Sequence, residues 1–339
     1  RDSNIELLRI VAMILVMVVH ASFLAIGAPK NVDAMSEPLS VFVRFFVEAV
    51  SVVCVNVFVL ISGWYGINVK INKLCGFIFQ VLFFSCLIYG AFLIYNFNSY
   101  FNCNCLGTVF LIHSSDYWFI KAYLGLLLLS PILNTFISNV SEKRLRYFLL
   151  FFYLFQTLYG WLSIYGAQWF EGGYSAMSFV GLYMLARYLH LYPVRKLDNT
   201  ASVNFVLFFS IAIFLAIVAF FVTYLGYPVS GRLFTYTNPL VILESLFLLF
   251  AFCKIKFRSK AINWIAASCL AVYLLHANEL FLRPYYGKII KYWFLNENTF
   301  FFWIYTIGFM FILFISAILI DKIRIWFWKI ISKGFTFSK

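Results

Sequence analysis

The stretch NIELLRIVAMILVMVVHAS, residues 4–22, sets a carboxylate, a guanidinium and an imidazole among apolar residues. Glu6 precedes Arg9 by three positions, and ten apolar residues separate Arg9 from His20. On a helix, eleven steps of about 100° close three turns with about 20° left over, so Arg9 and His20 share one face about 16 Å apart. Glu6 falls on that face too, at a spacing that lets it pair with Arg9. Ionisable groups inside a bilayer are costly, and they mark a pathway or a site. A plainer reading stands beside this one, with Arg9 anchoring an interface and His20 bonding a neighbouring helix.

Further polar groups stand in other apolar runs. Ser62 lies in FVLISGW with Asn56 and Glu48 upstream, Trp118 and Lys121 in YWFIKAYLGLLLLSPILN, Glu244 in NPLVILESLFLL, and Tyr273 and His276 in AVYLLHANE. Singly, each reads as interhelical glue; together they would line a polar interior. The seven cysteines form no zinc-type pair of pairs, and Cys103, Cys105 and His113 make only a thin metal-ligand pattern, so no metal site is expected.

The elements that position these groups follow from composition. Of 339 residues, 64% are apolar and 12% charged, and the mean hydropathy is +0.91. A soluble domain keeps roughly 25% of its residues charged, so this chain belongs in a bilayer. Ten apolar runs are long enough, or nearly so, to count as spans: 5–26, 41–65, 74–97, 117–137, 146–164, 174–192, 201–225, 239–253, 261–281 and 299–320. They predict an all-α integral membrane protein with about ten transmembrane helices. One membrane domain is expected over residues 1–320, followed by a cytoplasmic amphipathic tail over 321–339. The first run is not expected to be a secretory signal, since no small-residue cleavage site follows it and apolar runs continue to the C-terminus.

Loop charges set the orientation. The net charge is +13, and its cations gather in alternate loops: Lys70 and Lys73, then SEKRLR, then CKIKFRSK, then the tail. By the positive-inside rule those loops are cytoplasmic, as are both termini. The basic balance is thereby read as a topology signal, and no nucleic-acid partner is expected.

With these residues in place, the chain resembles the acyltransferase-3 family of integral membrane acyltransferases, as a stand-alone membrane domain. The resemblance rests on Glu6, Arg9 and His20 at their spacing, FVLISGW at 58–64, YWFI at 117–120 leading to LLSPILN at 128–134, and SCLAVYLLH at 268–276. It implies acyl transfer across the inner membrane of a bacterium. The donor would be cytoplasmic acyl-CoA, with acetyl-CoA the common form and no permanently bound cofactor. The acceptor would be a hydroxyl of a surface polysaccharide or lipid-linked sugar.

On that resemblance His20 is the general base, or alternatively a transient acyl carrier. Arg9 with Lys70 and Lys73 would hold the donor's phosphates. Two departures from the family pattern stand out: Glu6 replaces the usual Asp, and KINK at 70–73 replaces an Arg-x-x-Arg pair, keeping charge but losing the bidentate fork. The chain ends soon after the tenth run, so the membrane domain alone is expected to serve the acceptor. A lipid-linked-sugar transporter without acyl chemistry is the alternative, although no inverted repeat is visible. Oligomeric state is not readable.

Overall fold

The computed structural model describes residues 2–101, 105–112, 117–163, 169–227 and 231–334. Cys103 and His113 of the thin metal pattern lie outside the described residues. Among the described residues there is no strand. The principal helices are α1 Ser3–Val19, α2 Pro38–Tyr65, α3 Ile71–Tyr95, α4 Trp118–Asn139, α5 Glu142–Phe155, α6 Ala176–Leu191, α7 Ala201–Tyr224, α8 Pro239–Lys254, α9 Lys260–His276, α10 Glu279–Asn296 and α11 Thr299–Gly334.

Six of these are long and apolar enough to cross a membrane: α1 with its continuation to Leu24, α2, α3, α4, α7 and α11. The α9–α10 pair, bent by 57°, would make a seventh. The chain is therefore a multi-pass membrane protein, and by length and composition alone six or seven of the about ten spans the sequence predicts are met among the described residues. The other three sequence-predicted spans correspond to α5, α6 and α8. They are helical, but α5 has 14 residues before it turns π-helical, and α6 and α8 have 16 each. Sixteen residues rise about 24 Å, short of a hydrocarbon core of about 30 Å. Along α8 nearly every residue from Val241 to Phe252 is buried, so its all-round apolarity is met largely by neighbouring protein.

The chain divides into two compact units. The first comprises Arg1–Phe23, Gly27–Asn68 and Phe119–Asn263. Its centre is α2, which touches α1, α6, α7 and α8 and is the most deeply buried of the candidate spans. The chain turns away after the first span at Gly27, whose φ of 94° suits glycine, and the Arg44 guanidinium donates to its carbonyl at 2.5 Å. Helix α8 starts at Pro239, with Asn238 Oδ1 accepting the Leu240 N–H at 2.9 Å as its cap.

The second unit comprises Leu24–Ile26, Val69–Trp118 and Trp264–Lys339. Here α3, α9 and α11 pack together, and α10 packs on α11. Helix α11 runs without a break through position 320, where the sequence reading sets a boundary between membrane domain and tail. Just beyond it, buried Asp321 accepts from Arg324 at 2.7 and 2.9 Å and from Gln80 Nε2 of α3 at 2.9 Å. The first turn past 320 is thus packed inside the unit.

Candidate active site

Helix α1 stays α-helical to Val19, so the eleven-step register from Arg9 reaches His20 intact. Glu6 is buried, and its Oε1 accepts from Arg9 Nη1 at 2.9 Å. His20, half-buried, opens a π-helical turn, His20–Leu24, in which Ser22 leaves helical geometry with ψ −105°. Single π turns inserted in α-helices recur at functional sites. The turn is held from α2: the buried Glu48 carboxylate accepts from the Ser22 hydroxyl and the Phe23 N–H. A side chain one helix away therefore fixes the backbone that follows the imidazole.

The Ser62–Gly63 segment closes the other end of α2. A Cβ at Gly63 would lie 2.3 Å from the Tyr183 carbonyl oxygen, so only glycine lets α2 and α6 approach this closely. Ser62 bonds the Tyr123 hydroxyl at 3.0 Å. Past the helix end, Tyr183 accepts the Ile67 N–H at 2.9 Å and donates to Asn134 Oδ1 at 2.6 Å, while Asn134 Nδ2 donates to the Ile67 carbonyl at 2.8 Å. The glycine of FVLISGW and the asparagine of LLSPILN thus both serve to set one loop.

The remaining sequence candidates fall in different places. Lys121 is exposed on α4, and Glu244 is fully buried on α8, both in the first unit. Trp118, Tyr273, His276, Lys70 and Lys73 belong to the second. His276 is fully buried with Nδ1 2.6 Å from the Val272 carbonyl, an i−4 contact in which the ring N–H donates to the backbone. Beside it, Tyr273 stacks obliquely on Tyr117, whose hydroxyl donates to the Leu274 carbonyl and accepts from Asn278 Nδ2. Asn278 also caps α10 through the Leu280 N–H at 3.0 Å. This cluster satisfies the polar groups of the α9–α10 bend, and it supports the structural reading of His276. Lys70 and Lys73 are exposed at the start of α3.

The sequence reading missed a cleft of about 1250 Å³ in the first unit. The N-terminal residues Asp2–Ile5, the end of α2 at Trp64 and Tyr65, His190 of α6 and the segment Ile255–Lys260 line it. The Trp64 and His190 rings meet edge-on at 4.8 Å. Arg187 donates to the Trp64 carbonyl at 3.3 Å, a cation at the C-terminal end of α2.

Compared with known proteins, residues 2–321 match the model of the acyltransferase-3 family, described as an acyltransferase domain. The chain belongs to that family of membrane acyltransferases. No curated protein and no solved structure matches it.

Proposed function

We propose that this chain is an O-acyltransferase that moves an acyl group, acetyl in the simplest case, from cytoplasmic acyl-CoA to a hydroxyl of a surface polysaccharide or lipid-linked sugar. The single observation that carries this reading is the α1 face, where buried Glu6, its half-exposed partner Arg9 and His20 lie on one unbroken helical register in a member of an acyltransferase family. His20 takes the proton of the acceptor hydroxyl as its oxygen attacks the thioester carbonyl. The carbon–sulfur bond then breaks, the acyl group stays on the acceptor oxygen, and the departing thiolate takes up the proton as CoA thiol. General-base help of this kind is worth roughly 10²–10⁴ in rate. Arg9, half-open beside Glu6, pairs with a donor phosphate through its planar fork. The setting is the inner membrane of a bacterium, with both termini inside.

Incubating membranes that carry the protein with acetyl-CoA radiolabelled in the acetyl group tests the reading. Label should pass to a glycan or lipid-linked sugar only when the protein is present. Membranes that accumulate an unlabelled translocated sugar, with no acetyl transfer, would point to a transporter.

A further inference from the structure

We infer that the cleft beside the N-terminus of α1 seats the phosphate-bearing nucleotide of the donor, with Lys256, Arg258 and Lys260 as its cations. This rests on the acyl-CoA reading above and deepens it. The chain leaves α8 at Ile255 in extended conformation. From there to Lys260 exposed and half-buried residues alternate, with Lys256, Arg258 and Lys260 exposed and Ile255, Phe257 and Ser259 partly covered. Period-two alternation of this kind puts three cations on one side of one short segment.

Pairing separates these cations from their neighbour. Lys254 is in a salt bridge with Asp198. None of Lys256, Arg258 and Lys260 is in an ion pair among the described residues. All three line the cleft, whose only carboxylate, Asp2, already accepts from the Tyr65 hydroxyl at 2.7 Å. The segment is also anchored at both ends: the Ser259 N–H donates to Ser3 Oγ at 2.9 Å, and Asn4 Nδ2 donates to the Phe252 carbonyl at 2.8 Å. A backbone fixed in this way presents its cations with less ordering left to do on binding.

Size and shape agree with a nucleotide. Ligand clefts run to about 1000 Å³ for drug-sized molecules, and this one is somewhat larger at about 1250 Å³. Trp64, Tyr65 and Phe257 offer ring faces on which a base can stack. Coenzyme A brings a 3′-phosphate, a diphosphate and an adenine, which is the chemistry these side chains recognise. The cleft and Arg9 share one helix: Ile5 lines the cleft, and four residues on, about 6 Å of rise, stands Arg9. Arg9 is also within electrostatic reach of Tyr65.

The test is titration of coenzyme A into the purified protein in phosphatidylcholine nanodiscs, followed by calorimetry. Replacing Lys256, Arg258 and Lys260 together by Ala should weaken binding about a thousandfold, since charge-assisted contacts are worth roughly a factor of ten each. The preference of wild type for coenzyme A over its 3′-dephospho form should shrink as well. Replacing Lys143 and Arg144, exposed cations that do not line the cleft, by Ala should change affinity less than about threefold. Lys256→Gln, a milder change on an exposed residue, should still cost about tenfold, so the proposal remains exposed if the triple variant melts early. A folded triple variant that binds coenzyme A like wild type overturns the cleft assignment and leaves the acyltransferase reading standing. Wild type that binds no coenzyme A overturns both. If the triple variant loses only an affinity for phosphatidylglycerol nanodiscs, the cations serve a lipid headgroup and the proposal fails.

Discussion

Glu6 and Arg9 meet at 2.9 Å across one turn of α1, with the carboxylate side chain 5% exposed and the guanidinium 36% exposed. The buried acid orients the fork, and the open part of the guanidinium remains for a ligand. Arg9→Ala should therefore raise the KM for acetyl-CoA by an order of magnitude or more, because it removes the ligand contact and leaves a buried carboxylate without its cation. Arg9→Lys should recover part of that loss, since charge is kept and the fork is lost. Glu6→Gln should fall between them. Steady-state kinetics on the three variants checks the order, and equal KM values throughout would remove Arg9 from donor binding.

Gly63 is a packing requirement. Adding a Cβ 2.3 Å from the Tyr183 carbonyl oxygen forces α2 and α6 apart. Overpacking of this kind costs about 1–3 kcal/mol. Gly63→Ala should lower the melting temperature in detergent and reduce the yield of folded protein. A variant as stable as wild type would show that this contact is looser than described.

The membrane class and the Arg9–His20 register are legible in the sequence, the first because apolar runs dominate and the second because α1 keeps α-helical geometry up to His20. Span number is less legible. An apolar run does not show how long its helix is or how much of it neighbouring protein covers, and α6 and α8 are short and largely buried. The π turn at His20–Leu24 leaves no local signal, since Glu48, which holds it, lies in the next helix. The cleft is hidden for a similar reason. CKIKFRSK looks like any cytoplasmic charge cluster, and the contacts that shape it run from Asn4 to Phe252 and from Ser3 to Ser259, about 250 positions apart in the chain.

Glu48 acts through the backbone. Glu48→Leu removes the acceptor for the Ser22 hydroxyl and the Phe23 N–H, both on partly buried residues, and a donor left unpaired there costs up to about 1–3 kcal/mol. We expect kcat to fall while the KM for acetyl-CoA holds, because the turn after His20 loosens and the donor contacts stay. Glu48→Gln keeps an acceptor oxygen and should retain more of kcat. If both variants leave kcat unchanged, the turn does not position the imidazole.

Orientation has a direct readout. Single cysteines at positions 142 and 256, both exposed, should resist an impermeant thiol reagent in intact cells, and one at exposed position 295 should react. The background must lack all seven native cysteines. Position 168, expected to react as well, lies outside the described residues. Labelling of 142 or 256 from outside would reverse the topology, and with it the inner placement of Arg9.

The central claim is that His20 moves the proton in acyl transfer, and His20→Gln measures it most directly. An amide can hydrogen-bond but cannot take up a proton at neutral pH, so this variant keeps much of the shape and loses the base. Purified wild-type protein and the variant would be compared for transfer of radiolabelled acetyl from acetyl-CoA to acceptor-bearing membranes, with coenzyme A binding measured in parallel. The account predicts a fall of about 10²–10⁴ in transfer with binding and expression unchanged. Transfer by the glutamine variant at the wild-type rate would contradict it and leave His20 a structural residue of α1.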